Sequence, residues 1–280
     1  MGKIKKDTLG DRMKNYESIT RDFLIPKVPT IMRLDGKAFH TYTKQFKRPF
    51  DKVLIDMMDE TAKYLCSKIQ GAKFAYVQSD EITIFISDMD SIESQMWYDG
   101  NIQKMTSVSA SMAAAKFNHL MFLNKLESIT KIDEKSLGPR YHRIDLEDIL
   151  KKMTLAEFDS RVFQVPNKEE VVNNFLWRQQ DATRNSISAV AQSLYSAKEL
   201  HKVNTDQMQE LIFQKGINWN DYDPKLKRGR FIYKVNYFNG IDFNLVPEAE
   251  KNNAGVLRTK WESLECPIFS KDREFLLSKI

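Results

Sequence analysis

The sequence has few of the residues that build covalent or metal-based frameworks. Cys66 and Cys266 are its only cysteines, and no CxxC pattern accompanies them. A disulfide framework or a zinc site is therefore not expected, and a reducing compartment is the natural setting. No apolar run reaches the roughly 18 residues that a membrane-spanning helix needs. Because the opening residues MGKIKKDTLGDRM lack the apolar stretch of a signal peptide, we expect a cytoplasmic protein without a membrane partner.

The composition is that of a folded protein with a mildly basic surface. Of 280 residues, 42% are hydrophobic and 29% are charged, whereas glycine and proline supply only 10 and 8. A chain of this length can bury a sizeable core. Its 43 basic and 38 acidic residues give a formal charge of +5. Such an excess permits a polyanionic partner but does not require one.

The first 166 residues show an ordered series of predicted strands and helices. The series is a strand over 28–34, a helix over 51–71, a hairpin over 76–86, a helix from 102 toward 126, and a strand over 161–166. This β-α-β-β-α-β order is typical of the ferredoxin-like arrangement, in which two helices back one sheet. We therefore predict an α+β fold with a palm-like domain over residues 1–166, interrupted by a polar insertion over 127–157.

Beyond residue 166 the pattern becomes mostly helical. Helices are predicted over 169–195 and 205–213, where apolar residues recur at helical spacing. The strand candidate FIYKVNYF, residues 231–238, and a second candidate over 241–246 suggest a further hairpin. We expect residues 167–280 to form an extension that packs on the palm-like domain as one unit.

Carboxylates mark the ends of two predicted neighbouring strands. Asp35 follows the first strand, and Asp80 with Glu81 lies at the tip of the hairpin. Neighbouring strands are roughly 5 Å apart, so Asp35 and Asp80 can converge despite their separation in sequence. Two carboxylates and a backbone carbonyl suit Mg²⁺, and two such ions can align a hydroxyl and a leaving pyrophosphate. Each motif alone is also an ordinary solvated turn.

Several segments, taken together, resemble a known family. They are RLDGKAFHTYTKQFKRPFD at 33–51, AYVQSDEITIFI at 75–86, FDSRVF at 158–163, and NNFLWRQQDATRNS at 173–186. In this order they resemble the tRNA-His guanylyltransferase family and its wider set of guanylyltransferase-like proteins. The resemblance implies a polymerase-type palm and an enzyme that adds nucleotides to the 5′ end of tRNA in the 3′-to-5′ direction.

The resemblance also implies substrates, ions and an assembly. The 5′-monophosphate of tRNA is activated with ATP or GTP, and the 3′-hydroxyl of an incoming GTP then attacks it. Two Mg²⁺ ions, tRNA as partner, and a homotetramer belong to the same expectation.

Carried over residue by residue, the resemblance assigns roles to particular side chains. The catalytic residues are Asp35, Asp80 and Glu81, and the metal ligands are Asp35, Asp80 and the Gly36 carbonyl. The nucleotide-binding residues are Lys37, Ala38, Phe39, His40, Arg48, Asp51, Ser79, Lys104, Arg161 and Lys215. Basic residues of these segments and of the cluster KLKRGR at 225–230 also suit an RNA backbone. The resulting RNA-binding candidates are Arg178, Asn185, Lys227 and Arg228.

Two departures from the family pattern favour the guanylyltransferase-like branch. Thr183 stands where the family has a histidine tied to activity on tRNA-His, and Asn-Ile-Gln at 101–103 replaces a basic pair before Lys104. Both favour repair of 5′-truncated tRNA by templated addition over strict tRNA-His specificity. Two alternatives stay open: a nucleotidyl cyclase or oligonucleotide synthetase on the same palm, and a non-catalytic RNA-binding protein.

Overall fold

Six antiparallel strands form one sheet that organises the chain. The computed structural model describes residues 8–136, 151, 153–238 and 257–280. Its strands are β1 (Thr30–Gly36), β2 (Ala72–Gln78), β3 (Glu81–Ile86), β4 (Phe158–Gln164), β5 (Arg230–Phe238) and β6 (Leu257–Glu265). They lie in the order β4-β1-β3-β2-β5-β6, with every neighbouring pair antiparallel. The β2–β3 hairpin and β1 therefore occupy the interior of the sheet.

Helices flank the sheet, and polar side chains cap the N-termini of the two long helices that line its opposite faces. The helices in the described ranges are α1 (Thr8–Ser18), α2 (Phe39–Tyr42), α3 (Lys52–Lys68), α4 (Ile102–Ser136), α5 (Lys168–Leu194), α6 (Thr205–Gln214), α7 (Pro224–Arg228) and α8 (Arg273–Leu277). Asp51 begins α3 and Asn167 begins α5, each by accepting a hydrogen bond from a backbone N–H of the first turn. Among the described residues, no helix has the length and apolar character needed to cross a bilayer.

Both faces of the central strands are covered by apolar side chains. On one face, Leu34 and Ile84 pack in a cluster with residues of α3 and α4. On the other face, Phe74 and Phe85 pack in a second cluster with Phe175 of α5. All residues of β3 are buried, which explains its nearly continuous apolar run, EITIFI. The sheet is thus held between α3 with α4 on one side and α5 on the other.

The predicted β-α-β-β-α-β order is confirmed, and the boundaries of two segments are corrected. The second helix continues to Ser136, so the first part of the predicted insertion belongs to α4. Residues 137–150 and 152, within that insertion, lie outside the described residues, as does the strand candidate over 241–246. The partner of β5 is instead β6, Leu257–Glu265. The sequence LRTKWESLE lacks an apolar run because β6 is an edge strand, and the pattern therefore did not reveal it.

A buried ion pair ties the β5–β6 hairpin to α3. Arg230, at the start of β5, is only 3% exposed. Its Nε donates to Asp59 Oδ1 at 2.6 Å, and Ser263 Oγ of β6 donates to Asp59 Oδ2 at 2.6 Å. Strands β5 and β6 are thereby anchored to α3.

We expect Asp59→Ala to lower the free energy of unfolding by about 3–5 kcal/mol, because it leaves the Arg230 guanidinium buried without its counter-charge. Asp56→Ala on the same helix is the matched control. Asp56 pairs with Lys52 at 2.6 Å, but both side chains are exposed, so its loss should cost less than about 1 kcal/mol. Urea unfolding at neutral pH measures both changes, and equal losses would contradict the assignment.

Candidate active site

Asp35 and Asp80 lie together at one end of the sheet. Asp35 is paired with Glu81 across β1 and β3, which places it beside the turn between β2 and β3. At this turn the Gly36 N–H donates to the Asp80 carbonyl at 3.1 Å. Ser79, with φ of 47°, makes the tight turn that brings Asp80 back over β1. The predicted convergence of Asp35 and Asp80 is therefore confirmed.

The two carboxylates lie where burial and nearby negative charge disfavour their ionised forms. Burial first, and then the Asp159 carboxylate on the neighbouring strand β4, raises the pKa of Asp35. Burial is also the main cause that raises the pKa of Asp80, and the charge of Asp35 adds to it. Arg161 and Arg33 oppose the shift of Asp35 without cancelling it. A cation bound here would relieve both carboxylates.

The donor set fits Mg²⁺ rather than a metal enclosed by protein ligands. Among the described residues, no three His, Cys, Asp or Glu side chains form a ready-made metal cluster. Asp35, Asp80 and the Gly36 backbone instead offer two carboxylates and a carbonyl on one side of a site. Mg²⁺ is commonly bound through one or two carboxylates, with substrate phosphates and waters as the other ligands. These three residues would hold the ion.

The segment after β1, residues 37–40, folds back on Gly36. Only some of its predicted nucleotide-binding side chains are exposed. A Cβ on Gly36 would lie 2.2 Å from the Phe39 ring, so this close approach requires glycine. Phe39 is buried and stacks on Tyr42 at 4.9 Å, which leaves only its backbone for a ligand. Lys37, Ala38 and His40 are exposed, and Lys37 Nζ lies 2.5 Å from Glu157 Oε2.

A cavity of about 320 Å³ opens beside the Ser79 turn. Its lining residues come from α3, α5 and the segment before α3, and the buried ends of β2 and β5 form its floor. The predicted site residues that line it are His40, Arg48, Asp51, Ser79 and Asn185. The Asp51 carboxylate is engaged as the cap of α3 and also accepts from Lys47 N at 2.9 Å. The size and the mixture of apolar and polar walls are typical of a small-molecule site.

Besides Lys37, Ala38 and Phe39, three further nucleotide-binding candidates are not among the residues that line this cavity. Lys104 is exposed on α4, with Nζ 5.9 Å from the centre of the Tyr98 ring. Arg161 lies on β4, where its Nη2 donates to Asp159 Oδ1 at 3.0 Å. Lys215 follows α6 and lies over the ring of Tyr195. Within one chain, the structure thus gathers five of the predicted residues at the cavity and leaves these three apart.

Glu81 and Arg178 form a buried ion pair, which corrects the predicted exposure of both side chains. Arg178 Nε donates to Glu81 Oε1 at 2.7 Å and Nη2 donates to Oε2 at 2.6 Å. Glu81 therefore does not share the solvent-facing turn with Asp80, as the hairpin-tip prediction had it. Arg178, at 6% exposed, is unavailable to an RNA backbone. The sequence identifies Arg178 as a cation, but only the fold shows that the Glu81 carboxylate lies opposite it.

The cluster KLKRGR is also less exposed than its charge suggests. Lys227 is buried, and its Nζ donates to the Asn220 carbonyl at 2.6 Å. Burial lowers the pKa of Lys227. Arg228 is half-buried, with its guanidinium 5.7 Å from the Trp219 ring. The prediction that Lys227 contacts RNA is therefore corrected, because α7 turns this side chain into the protein.

Among the cavity residues that were not predicted are two buried polar ones, Gln78 and Arg230. Gln78 directly precedes the Ser-Asp-Glu motif, so its position next to Ser79 was an available signal. Arg230 ends KLKRGR, and nothing in the sequence distinguishes it from the other basic residues of that cluster.

Comparison with known proteins places this arrangement in a family. A sequence model of the tRNAHis guanylyltransferase (Thg1) family matches residues 10–166. A bacterial tRNA(His) guanylyltransferase-like protein solved in complex with ATP is 40% identical, with a TM-score of 0.76 and coverage of 97% of this chain and 98% of that chain. A bacterial protein of the same description solved with GTP is 39% identical, with a TM-score of 0.72 and coverage of 98% and 99%.

A viral relative extends the similarity. An uncharacterized protein of Acanthamoeba polyphaga mimivirus is 30% identical over 242 residues, which cover 82% of this chain and 78% of that protein. The family match spans the elements that carry Asp35 and Asp80, and the similarity to solved structures spans nearly the whole chain. The chain therefore belongs to the tRNA-His guanylyltransferase family of nucleotidyltransferases.

Proposed function

We propose that this protein is a Mg²⁺-dependent nucleotidyltransferase that adds nucleotides in the 3′-to-5′ direction to the 5′ end of tRNA. The observation that carries the proposal is the convergence of Asp35 and Asp80 beside the cavity of Arg48 and Ser79. Two carboxylates whose ionised forms are disfavoured by burial, next to a site of nucleotide size, suit phosphoryl transfer better than simple RNA binding. A binding protein has no need of such a pair.

The residues of this chain have separable tasks in the proposed reaction. First, a 5′-phosphate oxygen of tRNA attacks the α-phosphorus of ATP or GTP, and pyrophosphate leaves. The 3′-hydroxyl of an incoming GTP then attacks the activated 5′-phosphorus, and the nucleoside monophosphate leaves. Mg²⁺, when bound by Asp35, Asp80 and the Gly36 carbonyl, supplies charge stabilisation at the transferring phosphate. His40, Arg48 and Ser79 would bind and orient the nucleotide.

Support for ATP and GTP as substrates comes from the solved relatives, which hold ATP in one structure and GTP in another. For the acceptor, we propose truncated tRNA in preference to full-length tRNA-His, because Thr183 replaces the family's histidine. Asn185 is exposed near this position on α5 and remains an RNA-contact candidate, together with Arg228. A cytoplasmic setting agrees with Cys66 and Cys266 being free thiols.

The proposed activity predicts that Asp35→Asn and Asp80→Asn each lower 5′ extension by roughly a hundredfold or more, because each loses a carboxylate that charge stabilisation requires. The assay combines Mg²⁺, ATP, GTP and a 5′-monophosphorylated tRNA that lacks its first nucleotide. Asp90→Asn is the matched control, since Asp90 is exposed and pairs with Lys73 away from the turn.

The same assay separates the alternatives. Nucleotide-only products without added RNA would support a cyclase or oligonucleotide synthetase. Binding of tRNA without extension by the intact protein, unaffected by either substitution, would support a non-catalytic RNA-binding protein. Full-length tRNA-His as a second acceptor distinguishes guanylate addition from repair.

A stability prediction follows from the raised pKa of Asp80. The folded state disfavours the ionised Asp80 carboxylate. The negative charge of Asp80 therefore lowers the free energy of unfolding at neutral pH. Below roughly pH 3 the group is protonated in both states and the effect disappears. We expect Asp80→Asn to be more stable than the parent at neutral pH without Mg²⁺, with the difference vanishing in acid. Urea unfolding across pH tests this, and a difference independent of pH would refute it.

We further propose a homotetramer, in line with the family expectation. Support comes from α1, which contains no buried residue. Its Leu9, Met13 and Tyr16 are 59%, 43% and 62% exposed and recur at helical spacing, which forms an apolar stripe. A stripe of this kind is typical of a helix that packs against another subunit.

The stripe makes the assembly testable. We expect the double substitution Leu9→Asp and Met13→Asp to reduce the mass of the assembly in light scattering, because it places two charges in an apolar contact. Lys14→Asp, on the opposite side of α1, is the control and should leave the mass unchanged. An unchanged mass for the double variant would exclude α1 from the subunit interface.

A further inference from the structure

Trp177 keeps about half of its surface in water. It lies on α5 and is 48% exposed, whereas Trp97 and Trp219 are buried. Exposure alone shows little, because single apolar side chains are often exposed on folded proteins. The contacts beneath its ring are what distinguish Trp177.

Two arginine side chains support the Trp177 ring from the protein side. The Arg178 guanidinium carbon lies 4.6 Å from the centre of the ring, and that of Arg33 lies 5.7 Å from it. Both distances are within the range of cation–π attraction. The two arginine side chains are themselves mostly buried, with 8% and 18% exposed. The exposed surface of the indole is therefore its other face, so Trp177 presents a supported flat ring to solvent.

The arginines around this ring outnumber the carboxylates that they contact. Glu81 is contacted by Arg178 at 2.6 Å and by Arg33 at 4.0 Å. Asp181 is contacted by Arg178 at 2.9 Å and by Arg184 at 3.1 Å. Three guanidinium groups thus share two carboxylates, which leaves an excess positive charge beside the exposed ring. A flat aromatic face next to positive charge suits a nucleobase and the phosphate that accompanies it.

The ring lies close to the carboxylate pair but outside the nucleotide cavity. Arg33 and Asp35 are two residues apart on β1, so their side chains share one face of the sheet, with roughly 7 Å between the two positions. The charges of Arg33 and Arg178 both oppose the raised pKa of Asp35. Trp177 is not among the residues that line the cavity beside Ser79. A base on Trp177 therefore belongs to a second molecule, on the side from which a 5′-phosphate can approach Asp35.

We propose that Trp177 is a stacking platform for an unpaired base at the acceptor end of the RNA, and that it positions the 5′-phosphate near Asp35 and Asp80. This rests on the proposed function in one respect, that the substrate is an RNA whose 5′ end reacts. Unpaired bases at RNA ends are recognised by stacking on aromatic rings and guanidinium planes. Such stacking accepts every base, so the platform suits truncated tRNAs of different sequence.

Fluorescence of 2-aminopurine, placed in turn at each unpaired position at the acceptor end of a truncated tRNA, tests the inference. The RNA is bound to the intact protein with Mg²⁺ and without nucleotides. We expect quenching at one of these positions, because 2-aminopurine loses fluorescence when it stacks on an aromatic ring. Trp177→Leu should remove the quenching and weaken RNA binding about tenfold, whereas Trp177→Phe should retain most of both. Phe213→Leu is the matched control and should change neither, since Phe213 is an exposed aromatic residue of α6.

Quenching at none of the unpaired positions would overturn the inference, as would quenching that survives Trp177→Leu. A lower mass of Trp177→Leu in light scattering would overturn it by assigning the ring to a subunit contact. Weaker binding of ATP or GTP by this variant, with RNA binding unchanged, would overturn it by assigning the ring to a free nucleotide.

A second RNA decides the point even if Trp177→Leu fails to fold. An acceptor end that is a blunt duplex offers no unpaired base, so the intact protein should bind it about tenfold more weakly. Equal binding of the two RNAs would refute the platform. The extension assay is read separately. Quenching without extension would refute only the proposed function, whereas extension without quenching would refute only this inference.

Discussion

The buried pair of Glu81 and Arg178 is the constraint on which the rest of the site depends. Its two hydrogen bonds, at 2.7 and 2.6 Å, join the first residue of β3 to the middle of α5. Both side chains are less than a tenth exposed, so removing either one would leave a charge buried without its partner. The pair holds α5 above the end of the sheet. It thereby fixes the position of α5, which lines one side of the cavity, and of Glu81, the residue after Asp80.

The same pair also limits how far Arg178 can neutralise Asp35. The Arg178 guanidinium is buried and is bonded to Glu81 and Asp181. It lowers the pKa of Asp35 only as a minor contribution, and burial dominates. A site that neutralised its own acids would have little need of an ion. Here Arg178 is bonded to other carboxylates, and Asp35 and Asp80 stay available to a metal ion that arrives with substrate phosphates.

The sequence predicted the parts of this site that depend on local pattern. Apolar runs and tight turns located β1 and the β2–β3 hairpin, and strand adjacency brought Asp35 to Asp80. Burial of charge was beyond such reasoning, because Arg178 and Lys227 read as surface cations until their partners across the fold are known. Edge strand β6 was missed for a related reason, since a half-exposed strand carries no apolar run. Residue type states what a side chain can bind, and only packing states whether it is free to do so.

The cavity floor also orients the nucleotide that would occupy it. Asp59 already balances the charge of Arg230, so the floor suits a neutral base edge and not a triphosphate. Phosphates would then lie toward the rim, where the exposed Arg48 and Ser79 line the cavity. Ser79 is adjacent to Asp80, so this orientation directs the phosphates, and not the base, toward the carboxylates. A reversed nucleotide would place a triphosphate against the Gln78 carbonyl oxygen, which offers no donor to it.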